Sequence, residues 1–211
     1  MNWISLLHTI GEEPVFSSSL LLTPGENRGE IQKQLSRWTR VGKLLQLRRG
    51  LYALAPPYRK TVPAHFLVGN RLRPASYVSL QSALAYYGMI PEYVPEITSV
   101  TTGRPEKLDT PLGRYSYRHL APSLFYGYHR IEIAHSQEAH VAYPEKALLD
   151  LIYLTPNADR EDYLEELRLQ NLEIIDRNRL DQFAIRSGKP KLERAVRTIM
   201  QIAEGEECES L

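Results

Sequence analysis

Apolar positions near the start of the chain recur at helical spacing and then switch to short extended runs. "MNWISLLHTI" places Trp3, Ile4, Leu6, Leu7 and Ile10 on one helical stripe. Ser17 to Ser19 can cap a short helix through Leu20 to Leu22, which Pro24 and Gly25 break. Asn27 with Glu30 three residues later resembles a capping box with Asn in the Ser/Thr place. The helix it opens, "RGEIQKQLSRWTRV", buries Ile31, Leu35, Trp38 and Val41 or Gly42, and Gly42 suits its left-handed exit. "GKLLQLRRGLYALAP" then reads as two short apolar strands around a turn carrying Arg48 and Arg49.

Prolines at 56, 57, 63 and 74 interrupt the pattern, and a module boundary falls near 56 to 63. Beyond it, "ASYVSLQSALAYYGMIP" reads as a helix capped by Ser79 and stopped at Gly88. "EITSVTTG", "LGRYSYRHL" and "YGYHRIEIAH" read as strands. "HVAYPEKALLDLIYLTP" gives a short strand and then an apolar helix with Pro144 at its first position. Three more helices follow, at about 160 to 170, about 177 to 187 with Asp176 as cap, and about 190 to 204. Strands followed by helices indicate an α+β fold. The expected domains are residues 1–58, 59–205 for a larger α+β body, and a disordered acidic tail at 206–211.

Charge sharpens this division. The chain of 211 residues has a net charge of only +1. Yet Met1 to Lys60 hold nine basic residues against four acids, and all nine lie at or after Arg28. The remainder is mildly acidic. A basic module on an acidic body points to a polyanion partner. The face of the 28–41 helix opposite its apolar stripe carries Arg28, Gln32, Lys33, Ser36, Arg37 and Arg40, and Lys43 follows it. Helix, short helix, longer basic helix and hairpin is the order of a winged helix-turn-helix. One helix fits the ~12 Å major groove, where Arg, Lys, Gln and Ser meet base edges and phosphates. The hairpin tip, with Arg48 and Arg49, can press on a backbone or minor groove.

Other chemistry is sparse. There is no GxxxxGK[ST], HExxH, CxxC or GxSxG pattern. His129, His135 and His140 lie on strand or loop sequence without the cysteines or paired carboxylates of a metal site, so no metal or cofactor is expected. Glu145, Lys146 and Asp150 flank the apolar helix, and Asp150 there calls for a buried partner such as an arginine. A catalytic carboxylate at Glu145 or Asp150 is the competing reading. Tyrosines 115, 117, 126, 128, 143 and 153 are expected in the sheet and core, although such rings can also stack on bases. The one cysteine, Cys208, and the lack of signal-peptide features suit a reducing cytoplasm, and no apolar run is long enough for a membrane span.

Taken in order, "VGKLLQLRRGLYAL", "YVSLQSALAYYGMIPE", "ITSVTTGRP" with "TPLGRYSYRHL", and "YPEKALLDLIYL" resemble the AbiEi-type antitoxins. The resemblance covers roughly residues 1 to 155. It implies a non-enzymatic regulator of a type IV toxin–antitoxin pair, linked to abortive phage infection. The N-terminal winged helix of that family binds repeats in its own promoter and represses the operon. Its C-terminal domain counteracts a nucleotidyltransferase-like toxin that the antitoxin need not touch. Carried onto this chain, the wing role falls on Arg48 and Arg49, and the recognition helix holds Arg28, Gln32, Lys33, Ser36 and Arg37. A stand-alone winged-helix regulator and a nucleic-acid-processing enzyme are the alternatives.

Overall fold

The computed structural model describes residues 1–22, 27–134 and 136–209, so the expected break at Pro24 and Gly25 and the position of His135 lie outside it. It shows a mixed α+β fold.

The chain opens with α1 (Trp3–Ile10), whose N-terminus is closed by the Asn2 side chain. Strand β1 (Phe16–Ser17) follows, then a 3₁₀ turn (Ser18–Leu21) capped by Ser17. Helix α2 (Arg28–Arg40) starts where Asn27 Oδ1 accepts the N–H of Gly29 at 2.8 Å. Glu30 turns outward to Lys33, 3.3 Å away, so the cap forms through Asn27. Gly42 exits α2 with φ of 72°. The hairpin is β2 (Leu44–Arg48) and β3 (Leu51–Leu54), and the three strands form an antiparallel sheet in the order β1-β3-β2. Ile31, Leu35 and Trp38 pack with Leu6, Ile10, Phe16, Tyr52 and Leu54. Val41, an alternative member of the α2 apolar stripe, is exposed.

The second part begins with α3 (His65–Leu72), β4 (Ser76–Val78) and α4 (Leu80–Tyr86). Strands β5 (Glu96–Thr101), β6 (Glu106–Thr110), β7 (Gly113–His119), β8 (Tyr128–Ala134) and β9 (Gln137–Ala142) follow. Helices α5 (Pro144–Leu154), α6 (Glu161–Glu166), α7 (Arg177–Ser187) and α8 (Pro190–Glu209) complete it. The last helix runs to Glu209, past the end near 204 that the sequence indicates and into the stretch expected to be a tail.

Six strands form one sheet in the order β6-β7-β5-β4-β9-β8. The β5–β7 and β4–β9 pairs are parallel and the others antiparallel. One core gathers Val78, Val100 and Val141 with Leu148, Ile152, Leu180, Leu192 and Ile199 of the helices. On the opposite side, Val68 and Leu72 of α3 pack on Tyr115 and Tyr117 of β7. No helix among the described residues is long and apolar enough to cross a membrane.

The two parts share a core. Val15, Leu47, Leu51 and Ala53 pack in one cluster with Val68, Leu72, Tyr115 and Tyr117. Every residue of β3 is therefore buried: Tyr52 and Leu54 face the N-terminal helices, and Leu51 and Ala53 face the second part. The linker is pinned as well. Gln137 accepts the Ala64 N–H at 2.8 Å and donates to the Val62 carbonyl at 2.9 Å.

Candidate nucleic-acid interface

Helix α2 holds its charged face outward because Ile31, Leu35 and Trp38 anchor the opposite side. Arg28, Gln32, Lys33, Ser36, Arg37 and Arg40 are all exposed. Gln32, Ser36 and Arg40 continue the row that Arg28 begins at four-residue steps, and Lys33 and Arg37 form a second row beside it. Arg37 and Arg40 sit in the last turn, where a cation complements the helix dipole. Among the described residues, Arg28, Arg37, Arg40 and Arg49 have no carboxylate partner. Lys33 shares Glu30, with both side chains largely in solvent, and such a pair is worth little.

The remaining three cations of the expected set are not equivalent. Arg49 is exposed at the hairpin turn, where Gly50 takes a φ of 83°. Arg48 is exposed as well, but its Nη1 donates to the carbonyl of Leu72 at the end of α3. The pair therefore does not form one charged finger. The ladder shifts register between Gln46 and Arg48, and this irregularity re-aims the Arg48 side chain. Lys43 lies over the ring of Trp3, with its ammonium 4.9 Å from the centroid, and 5.7 Å from that of Tyr58. Trp3 in turn meets Trp38 and Tyr58 edge to face. Lys43 thus caps an aromatic cluster that ties α1 to the linker.

The α5 residues singled out for chemistry are enclosed. Asp150 and Lys146 pair one turn apart, so the partner of Asp150 is a lysine of its own helix in place of an arginine. Asp150 also accepts from the Tyr77 hydroxyl at 2.9 Å and the Ser79 hydroxyl at 2.8 Å. Burial pushes the Asp150 carboxyl up and the Lys146 ammonium down, and their mutual attraction opposes both shifts. Lys146 lies 5.1 Å from the centre of the Tyr126 ring. Glu145 is fully buried; it accepts the Asp176 N–H at 2.7 Å and faces Arg179 at 3.4 Å. It therefore joins α5 to the start of α7. Both carboxylates are engaged in bonds that hold elements together.

The histidines are dispersed in role. His129 stacks on Tyr143 at 4.2 Å, and His140 meets Tyr128 edge to face. Among the described residues no three His, Cys, Asp or Glu side chains gather as metal ligands would. Of the six tyrosines, 115 and 117 are fully buried, and the other four are partly buried.

Sequence reasoning missed the Leu72 carbonyl, because a backbone acceptor leaves no mark in composition. It also missed Tyr58, the platform beside Lys43, because Tyr58 lies in the proline-rich linker.

Comparison with family models and with curated proteins gives no match. Among solved structures, the chain is similar to a crystal structure of the RV2827C protein from Mycobacterium tuberculosis. The identity is 15%, the TM-score is 0.53, and the match covers 93% of this chain and 76% of the other. That likeness is one of fold.

Proposed function

We propose that the chain is a DNA-binding repressor that also serves as the antitoxin of a type IV toxin–antitoxin pair. In this reading the N-terminal module is a winged helix-turn-helix, α2 is its recognition helix and β2–β3 its wing. The observation that carries it is the outward face of α2. There Arg28, Lys33, Arg37 and Arg40 stand with Gln32 and Ser36, and the one acid on the helix, Glu30, is already paired. Exposed cations suit phosphates, and Gln and Ser suit base edges. The second part of the chain would carry the antitoxin activity, as the resemblance to the AbiEi-type antitoxins implies.

The test is a titration of the purified chain on DNA from just upstream of its own reading frame, at two salt concentrations. An unrelated fragment of equal length is the control. Preferential binding that persists at the higher salt is expected. Equal binding to both fragments, erased by salt, would reduce the module to a general polyanion binder. Co-expression with a neighbouring nucleotidyltransferase-like protein tests the second half of the proposal. DNA binding without rescue from toxicity would leave a stand-alone regulator.

A further inference from the structure

We infer that α3 and β7 are parts of the DNA reader: they hold the wing, and Arg48 is the positioning residue that fixes its angle to α2. This rests on the winged-helix reading of the N-terminal module.

The β2–β3 ribbon has only the two-residue strand β1 beside it, and so small a sheet gains much of its order by packing. Here the ribbon is covered on both faces. Leu44, Tyr52 and Leu54 lie in the core of α1 and α2, and Leu47, Leu51 and Ala53 lie against Leu72, Tyr115 and Tyr117. The tip is tied from two sides. The Ser18 N–H donates to the Gly50 carbonyl at 2.8 Å, which fixes the turn to the short helix before α2. On the other side the Arg48 guanidinium reaches the Leu72 carbonyl. That carbonyl belongs to the last turn of α3, where acceptors lack helical partners and a cation is favoured. Arg48 and Arg49, the next residue, are both exposed, and the bond to the Leu72 carbonyl is what sets Arg48 apart. The place of Arg49 relative to α2 is therefore set jointly by the Ser18 bond within the N-terminal part and by the second part of the chain. Arg48 serves DNA binding through geometry, and Arg49 through charge.

The two roles separate by salt dependence and by hydrogen exchange of the full-length chain. Exchange is measured without DNA on Arg48→Ala, Arg48→Lys and Arg49→Ala. Affinity for the upstream DNA is then measured across a salt series. Arg48→Ala is expected to speed exchange in both residues 44–54 and residues 68–72. It should weaken binding about tenfold, the size of one hydrogen bond to a charged group, without changing the salt slope. Arg48→Lys keeps the charge on a shorter stem without the forked head and should behave like Arg48→Ala. Arg49→Ala should leave exchange unchanged and reduce the slope by ~0.9, as for one lost phosphate contact.

The inference is overturned if Arg48→Ala leaves residues 68–72 unaffected. It is also overturned if Arg48→Ala lowers the slope while Arg48→Lys restores binding, since Arg48 would then be a phosphate contact. A wild-type chain that binds no DNA overturns the underlying reading instead, and the exchange data, taken without DNA, tell the two failures apart.

Discussion

Asp150 and Lys146 form an ion pair inside the protein, with their side chains 2% and 4% exposed. Through Asp150, the hydroxyls of Tyr77 in β4 and of Ser79 just after it fasten α5 to the centre of the sheet. Asp150→Ala removes the counter-charge and leaves an ammonium and two hydroxyls without their acceptor. The expected loss is ~3–5 kcal/mol of stability, read as a fall in the urea midpoint. The double variant Lys146→Met, Asp150→Leu removes both charges and should lose less than Asp150→Ala alone. A loss in the double variant equal to or larger than in the single would mean that the hydroxyl bonds, and not the stranded charge, set the cost.

Much of this arrangement is legible in the sequence because the signals are local. Asn27 and the Ile31, Leu35, Trp38 spacing define α2, and Pro144 marks the start of α5. The partner of Asp150 is less legible: the expectation is an arginine, and the lysine four residues before it on the same helical face takes that place. What escapes is set by tertiary context. Helix α3, "HFLVGNRL", lies among prolines and carries a glycine, so its own propensity is weak; packing on Tyr115 and Tyr117 decides it. Strand β6, "EKLDT", is poor in strand-forming residues and exists because β7 pairs with it along its whole length. Strand β4 is three residues long and lies just before Ser79, in a stretch whose sequence reads only as a helix capped by that serine. The α2 face is legible as a pattern, but the separate fates of Arg48, Arg49 and Lys43 depend on neighbours distant in the chain.

His129 gives a pH dependence with a definite sign. Burial, reinforced by the Arg179 guanidinium, holds its imidazole below the ordinary value of 6.5, while Glu145 opposes the shift. Among the described residues its buried Nδ1 has no hydrogen-bond partner, and its ring lies on Tyr143. The unfolded chain therefore takes up a proton at higher pH than the folded one. The contribution is fully present above pH 6.5 and is lost as pH falls below that value toward the folded pKa. Denaturant unfolding at pH 7.5, 6.5 and 5.5 should show stability declining over the lower interval. The decline should be shallower in His129→Gln, which does not titrate. Parallel profiles for the two proteins would assign the decline to other groups.

Gly127 is a position where a methyl group has nowhere to go. Its φ is 72°, and an added Cβ would meet Phe183 at 2.9 Å and the Lys146 stem at 3.0 Å. Phe183 is held in turn, because the Tyr126 hydroxyl bonds its carbonyl at 2.9 Å. Gly127→Ala thus combines a left-handed backbone with overpacking between α5 and α7, and the expected cost is ~1–3 kcal/mol. In a domain of this size each kcal/mol lowers the melting temperature by ~2–4 °C, so thermal unfolding will resolve it. An unchanged melting temperature would show that α7 can shift outward without loss.

Lys43 and Arg37 look alike in sequence as basic residues of the same module, and the structure separates them. Arg37 is exposed on α2, while the Lys43 ammonium sits over Trp3 and beside Tyr58, and its residue is only partly exposed. A cation over aromatic faces at a partly exposed site contributes ~0.5–1 kcal/mol. Lys43→Ala should therefore lower stability by about that amount and leave the salt slope of DNA binding unchanged. Arg37→Ala should do the reverse: little change in the unfolding midpoint, and a slope reduced by ~0.9 if the side chain meets a phosphate. Measuring both quantities on both variants forms a crossed test. If Lys43→Ala lowers the slope, the lysine leaves its aromatic seat to meet the DNA. If neither variant changes the slope, the α2 face is a solvated surface, and the reading of α2 as the recognition helix fails with it.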